Sequence, residues 1–457
     1  MLKKSLSILA LATLLVMNQG CNTSKETATE STKPLQLIVL DPGHFHADLL
    51  QKATYDQVDS TVHVYAPDGP EVKAYLAKVE QYNTRAESPT NWNEQVYTGP
   101  DYLEKMLADK PGNVVVLAGN NQKKTNYIKQ SVDAGLNVLA DKPMAIDAAG
   151  FELLKEAFAS AEKNNVLLYD IMTERYEITN TLQKELAKQA DIFGELQKGT
   201  TEQPAISKES VHHFSKIVSG SPLVRPSWFF DTKQQGEGIV DVNTHLVDLI
   251  QWAAFPEVTL SPSDVDLISA RRWTTDLTPS QFKLVTKQDT YPDFLASSVK
   301  DSTLSVYANG EINYTLKGIH AQVKVLWNFQ APEGAGDTHY SIMRGSKANL
   351  IIRQGKEQNY KPMLYIEPVG SDAGYAAALE AAFQKVEALY PGITLQKDAK
   401  GWQVMIPAKY DNGHEAHFAQ VARKYMEYLK DGKLPEWEVP NMITKYYTTT
   451  KALEMAK

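Results

Sequence analysis

The feature that most restricts this chain is a series of short apolar runs, each followed by a helical pattern, between Leu35 and Asp170. "LQLIVL", "VHVYA", "NVVVLA", "NVLA" and "VLLYD" are each the length of one strand. Between them, "HADLLQKA", "PEVKAYLAKV", "NQKKTNYIKQSVDAG" and "AAGFELLKEAFASAEKN" read as helices. A strand, helix and strand in succession cross over the sheet right-handedly. Helices then cover both faces, so the strands can be apolar throughout. The predicted fold for residues 35–171 is α/β, a doubly wound parallel sheet. Beyond Met172 the runs lengthen and alternate, which predicts an α+β domain over 172–457 with a mostly antiparallel, open sheet. "TLSVYANGEINYTLKG" reads as a hairpin turning at Asn309-Gly310, and "SIMRGSKANLIIRQG" as one turning at Gly345-Ser346. Residues 355–410 read as an insertion of mixed character, and "HEAHFAQVARKYMEYLKDGKLP" as a closing amphipathic helix.

The N-terminus carries a different signal. Lys3 and Lys4 precede the apolar "LSILALATLLVM", which is short for a membrane span, and "NQGC" places the chain's single cysteine, Cys21, at its end. Residues 1–20 read as a signal peptide, Cys21 as a lipid-attachment site, and residues 21–34 as a polar tether. The expected location is the cell envelope, with membrane contact only through the lipid. The formal net charge of −8 argues against a nucleic-acid partner.

Three stretches can carry chemistry. In "LIVLDPGHFHADLL" a strand ends, a turn follows, and a helix is expected to start, which is where a dinucleotide-binding fold places its glycine-rich loop. Of the three glycines in such a loop only Gly43 is present, with Asp41 and His46 at the flanking positions. Gly43, His44, Phe45 and His46 are candidate cofactor contacts, and Asp68, after the second strand, is the candidate for the ribose hydroxyls. A structural turn with capping residues is the alternative. His44 and His46 lack a third ligand at a telling spacing, so no metal is expected.

In "NVLADKPMAI", Lys142 follows a strand's carboxyl end, where α/β folds bind ligands, and can exchange a proton with a substrate hydroxyl. A surface lysine in a turn is the alternative. In "GEGIVDVNTHLVDLIQWAAF", read as one helix, Asp241, Thr244, His245 and Asp248 fall on one polar stripe of an otherwise apolar surface. Such short polar side chains suit a pocket wall better than a solvent face, and an Asp–His pair suits proton handling. Upstream, "VHHFSKIVSGSPLVRPSWFFDTKQQ" offers Arg225 and Trp228 for gripping and stacking a sugar, or simply a packed aromatic loop.

Together these stretches resemble the Gfo/Idh/MocA oxidoreductases. "NVLADKPMAI" resembles the segment with the family's E-K-P motif, Asp141 standing for its Glu, and "GEGIVDVNTHLVDLIQW" resembles the family's D-x-x-x-H segment. Lys124 stands where many members have His. The resemblance implies an N-terminal Rossmann domain, a C-terminal α/β domain that assembles homo-oligomers, and NAD or NADP as cofactor. It implies catalytic roles for Lys142, Asp241 and His245. The site read on this basis adds Asn120, Asn121 and Lys142 as cofactor contacts and Arg175, Arg225, Trp228 and Asp248 as substrate contacts. The implied activity is NAD(P)-dependent oxidation or reduction of a sugar hydroxyl or keto group. A glycosidase working by transient oxidation, and a glycan-binding lipoprotein without catalysis, are the other readings.

Overall fold

The computed structural model describes residues 34–218, 221–370 and 374–457. The signal and lipid-site expectations, Cys21 included, lie outside the described residues. Among those described, no helix is long and apolar enough to cross a membrane.

The first half of the fold runs β1 (Leu35–Leu40), β2 (Val58–Ala66), α1 (Pro70–Thr84), β3 (Asn93–Thr98), α2 (Tyr102–Asp109), β4 (Val114–Leu117), α3 (Asn121–Asp133), β5 (Asn137–Asp141), α4 (Ala148–Asn164) and β6 (Leu168–Ile171). The strands pair in parallel in the order β3-β2-β1-β4-β5-β6. This is the Rossmann order, with its switch point between β1 and β4. The edge strand β3, "NEQVYT", escapes a reading by apolar runs because most of its residues are exposed.

The expected helix after β1 does not form. His44 to Lys52 is a series of tight turns ending in a 3-10 helix over Leu49–Lys52, with Ala47 N donating to His44 O, Leu49 N to His46 O and Gln51 N to Asp48 O. The polar residues of this segment point inward. Tyr82 donates to the Asp48 carboxylate, Tyr75 to the Gln51 side chain, and the Trp92 indole N–H to Gln51 O at 2.7 Å. Three aromatic donors thus hold a short 3-10 turn where a longer α-helix would have no such partners.

The second half contains α5 (Ile178–Ala187), β7 (Ile206–Ser215), the short pair β8 (Ile217–Val218) and β9 (Ser221–Pro222), α6 (Thr232–Gln235), α7 (Asn243–Ala254), β10 (Val265–Leu277), α8 (Pro279–Thr286), β11 (Val299–Lys300), β12 (Thr303–Leu316) and β13 (Ile319–Gln330). It continues with β14 (Thr338–Arg344), β15 (Ala348–Arg353), β16 (Met363–Pro368), α9 (Tyr375–Leu389), β17 (Thr394–Lys397), β18 (Trp402–Met405), α10 (His414–Asp431) and α11 (Glu438–Ala456). One large sheet runs β10-β12-β13-β7-β14-β15-β16-β18-β17, with β11 beside β12, and among the described residues only its β13–β7 pair is parallel. Residues 355–410 supply β16, β17 and β18, which extend this sheet at one edge.

The hairpin at Gly345-Ser346 forms between β14 and β15 as predicted. The hairpin at Asn309-Gly310 does not, because β12 runs straight through both residues. The Asn309 side chain is spent on Trp327 N, Trp273 O and Thr275 Oγ1, and a Cβ on Gly310 would lie 2.7 Å from Ile239. That glycine serves packing against the segment before α7. The turn comes instead at Lys317-Gly318, both with positive φ, as a two-residue hairpin requires.

Helices α10 and α11 return to the first sheet. Phe418, Tyr425, Met442 and Tyr446 join its core, and the Tyr425 hydroxyl donates to Leu167 O and Val138 O. Between β6, α7 and α11 lies a buried charge network. Arg175 grips Asp248 through Nε and Nη2, both at 2.7 Å, and reaches Glu438 at 2.9 Å. Lys445, fully buried, lies 2.8 Å from both Asp248 and Asp170. Burial would raise the Asp248 pKa, but Arg175 and Lys445 hold it well below the usual carboxylate range. Replacing Lys445 with Met leaves two buried carboxylates short of a cation. Urea denaturation of Lys445→Met should therefore show a loss of about 3–5 kcal/mol; a loss under about 1 kcal/mol contradicts this role.

Candidate active site

A cavity of about 1470 Å³ opens beside the carboxyl ends of β1 and β5, against the first turn of α7 and the loop after β13. Lys142, Asp241 and His245 line it together, as do His44, Phe45, His46 and Arg225. The sequence separates Lys142 from Asp241 by about a hundred positions, yet Lys142 Nζ lies 2.6 Å from Asp241 Oδ1. The other Asp241 oxygen accepts from Gln235 Nε2 at 3.1 Å. His245 Nδ1 is buried and has no partner among the described residues. Burial, with Lys142 adding repulsion, lowers the His245 pKa well below its ordinary value, so the ring is neutral near pH 7.

The polar stripe read on one helix divides at its start. Asp241 precedes α7, in a turn where Thr244 N bonds Asp241 O and His245 N bonds Val242 O. Asp241 and His245 face the cavity, whereas Thr244 bonds Val240 O and Asp248 enters the buried network. Arg175 and Asp248, expected at the substrate, spend their polar groups on each other, Glu438 and Lys445, and neither lines the cavity. Arg225 is held beneath the cavity by Phe214 O and His213 O and stacks on Phe229 and Trp327. Trp228 does not line the cavity; its ring edge lies 3.4 Å from where a Gly43 Cβ would be.

Gly43 and Gly119 sit together at the switch point. A side chain on Gly119 would meet Asp41 O at 2.2 Å, so the β1 and β4 turns touch only because Gly119 has none. Gly43 N and His44 N both donate to Ala118 O at 3.1 Å. The turn therefore differs from the expected phosphate loop in having those two N–H groups engaged and no α-helix behind it. Asp68 is exposed and paired with Lys73 at 2.9 Å. Asn120 caps α3 and bonds Gln234, while Asn121 bonds Gln235 O, tying α3 to α6.

Two residues noted in the sequence only as departures from the family pattern also contribute. Lys124 supports the D-K-P turn from below, bonding Asp141 O at 2.9 Å and Asn121 Oδ1 at 2.5 Å. Asp141 turns its carboxylate to His46 Nδ1, 3.0 Å away, and to His44 Nδ1 at 3.7 Å. Residues 95 positions apart give no local pattern from which that meeting can be read.

Burial lowers the Lys124 pKa to about 8, partly opposed by Asp141. The folded chain then binds fewer protons at this group than the unfolded chain between pH 8 and about 10.5, the ordinary lysine value. Its burial penalty is full below pH 8 and disappears as pH rises through that window. Measured against Lys124→Gln, wild-type stability should rise from pH 8 to pH 10.5. A constant difference across that range contradicts the burial argument.

Known proteins agree with this architecture. Residues 42–169 match the family model described as "Oxidoreductase family, NAD-binding Rossmann fold", and residues 182–457 match "Putative oxidoreductase C terminal domain". The crystal structure of a "putative oxidoreductase" from Parabacteroides merdae is 59% identical, with a TM-score of 0.91 over 93% of this chain and 98% of that one. Levoglucosan dehydrogenase in complex with NADH and levoglucosan is 12% identical, with a TM-score of 0.59 over 93% and 97%. GenD2 from gentamicin A biosynthesis, in complex with NAD, is 14% identical, with a TM-score of 0.56 over 93% and 95%. Comparison with curated proteins gives no match. The chain belongs to the Gfo/Idh/MocA family of NAD-binding oxidoreductases.

Proposed function

We propose that this oxidoreductase acts on a sugar or glycoside, exchanging a hydroxyl for a keto group at a ring carbon. The observation that carries the reading is the Lys142–Asp241 ion pair and a neutral His245, all lining one cavity. Phe45, Phe229 and Trp327 give the same cavity aromatic surface for a sugar's apolar face. Its volume exceeds the roughly 300–1000 Å³ of a small-ligand pocket, room for a nicotinamide beside a sugar.

The residues present fit a nicotinamide dinucleotide, by a route unlike the usual loop. Gly43 and Gly119 leave backbone bare at the switch point, and Trp228 lies over Gly43. Asp68 stands two residues beyond β2, where the ribose hydroxyls are bound in this fold. With Gly43 N and His44 N engaged, the pyrophosphate must be held by side chains rather than by these N–H groups. A bound nicotinamide supplies the hydride acceptor. Lys142 holds the reacting hydroxyl, and Asp241 keeps the ammonium aimed. His245, whose neutral ring lines the cavity, takes the hydroxyl proton.

We also propose export and lipid attachment at Cys21, which keeps the enzyme away from the cytoplasmic nucleotide pool and calls for tight cofactor retention. Self-association is proposed through the half-exposed face of the large sheet, opposite its helices. Denaturing the purified chain should release NAD or NADP. Lys142→Ala and His245→Ala should retain the nucleotide yet lose about 10²–10⁴ in kcat/KM. No released nucleotide together with no binding by calorimetry, or full turnover in both variants, contradicts the proposal.

A further inference from the structure

We infer that His44, His46 and Asp141 form a binding site for one divalent transition-metal ion, its remaining position open to the cavity. Four donors arranged tetrahedrally at about 2.0–2.2 Å from an ion stand about 3.3–3.6 Å from one another. Asp141 Oδ2 lies 3.0 Å from His46 Nδ1 and 3.7 Å from His44 Nδ1, and donor atoms from the three residues fall within 4.8 Å of one another. An ion would enter by side-chain adjustments of up to about an ångström toward that spacing.

The chemistry of the donors fits as well. Two imidazoles and one carboxylate suit zinc and its first-row neighbours better than calcium or magnesium. No cation is paired with the Asp141 carboxylate among the described residues. Lys124 bonds the main-chain oxygen of Asp141, and Lys142 is directed to Asp241. The His46 ring is fixed between Phe45 and Phe418, at centroid distances of 4.3 and 4.7 Å, which sets the direction of its nitrogen.

Both histidines line the cavity that holds Lys142 and His245. Three protein ligands with one open position is the arrangement of a catalytic rather than a structural metal. The open position would take an oxygen of the sugar, fixing the ring and polarising the bond beside the reacting carbon. This site does not depend on the nucleotide, and its test reads the metal alone.

The full chain, stripped with chelator, is dialysed against Co²⁺, and bound metal and visible absorption are measured. Wild type should hold one ion per chain with d–d bands of a four- or five-coordinate site. His46→Ala, and the nearly isosteric Asp141→Asn, should lose both, while His63→Ala, on β2 away from the site, should keep them. Zn²⁺ should raise the melting temperature of wild type and leave that of Asp141→Asn unchanged. An absence of retained ion in wild type, or unchanged bands in both site variants, overturns the assignment. So does a missing Zn²⁺ shift in wild type, whether or not the variants fold.

Discussion

The buried charge network around Asp248 holds α7, which carries His245 to the cavity. Arg175 follows β6, Lys445 and Glu438 belong to α11, and Asp248 lies one turn beyond His245 on α7. Fixing Asp248 therefore fixes the rotation of α7 about its own axis. Asp241 and His245 then face the cavity, and Lys142, at the end of β5, finds its carboxylate. A buried ion pair contributes little net stability over an apolar replacement, but a wrong partner costs several kcal/mol. Such a device specifies one arrangement of two packed halves. The threonines of α11 serve the same end: Thr444, Thr448 and Thr450 return their hydroxyls to carbonyls four residues back, so a polar helix can be buried beside the charges.

The turn after β1 departs furthest from the pattern of its fold. Its N–H groups close on Ala118 O, its helix is reduced to 3-10 turns, and its side chains are histidines aimed at Asp141. The segment presents nitrogen and oxygen side-chain donors at the cavity where the usual loop presents free N–H groups. A glycine-rich loop offers backbone to a phosphate; this one offers imidazoles to whatever lies next to Lys142.

Much of this was legible in the sequence where the signal is local. The parallel strands declare themselves because burial on both faces makes them apolar throughout, and Lys142, Asp241 and His245 stand in short motifs that the fold brings to one wall. Signals that depend on distant partners were not legible. The 3-10 turn at Leu49–Lys52 is imposed by Tyr75, Tyr82 and Trp92, and Gly310 answers to Ile239 rather than to a turn. Asp248 looks like a member of the polar stripe until Arg175 and Lys445 arrive from elsewhere in the chain. Asp141 completes the histidine pair across 95 positions, and no spacing rule announces it.

The central claim is that hydride passes between a sugar carbon and a nicotinamide held against this cavity. The most direct measurement follows the hydrogen itself. The purified chain is loaded with oxidised cofactor, incubated with perdeuterated glycosides, and the nucleotide is released and weighed by mass spectrometry. The account predicts a reduced nucleotide carrying one deuterium, absent when His245 is replaced by Ala. Turnover of the glycoside with no deuterium in any released nucleotide would contradict it.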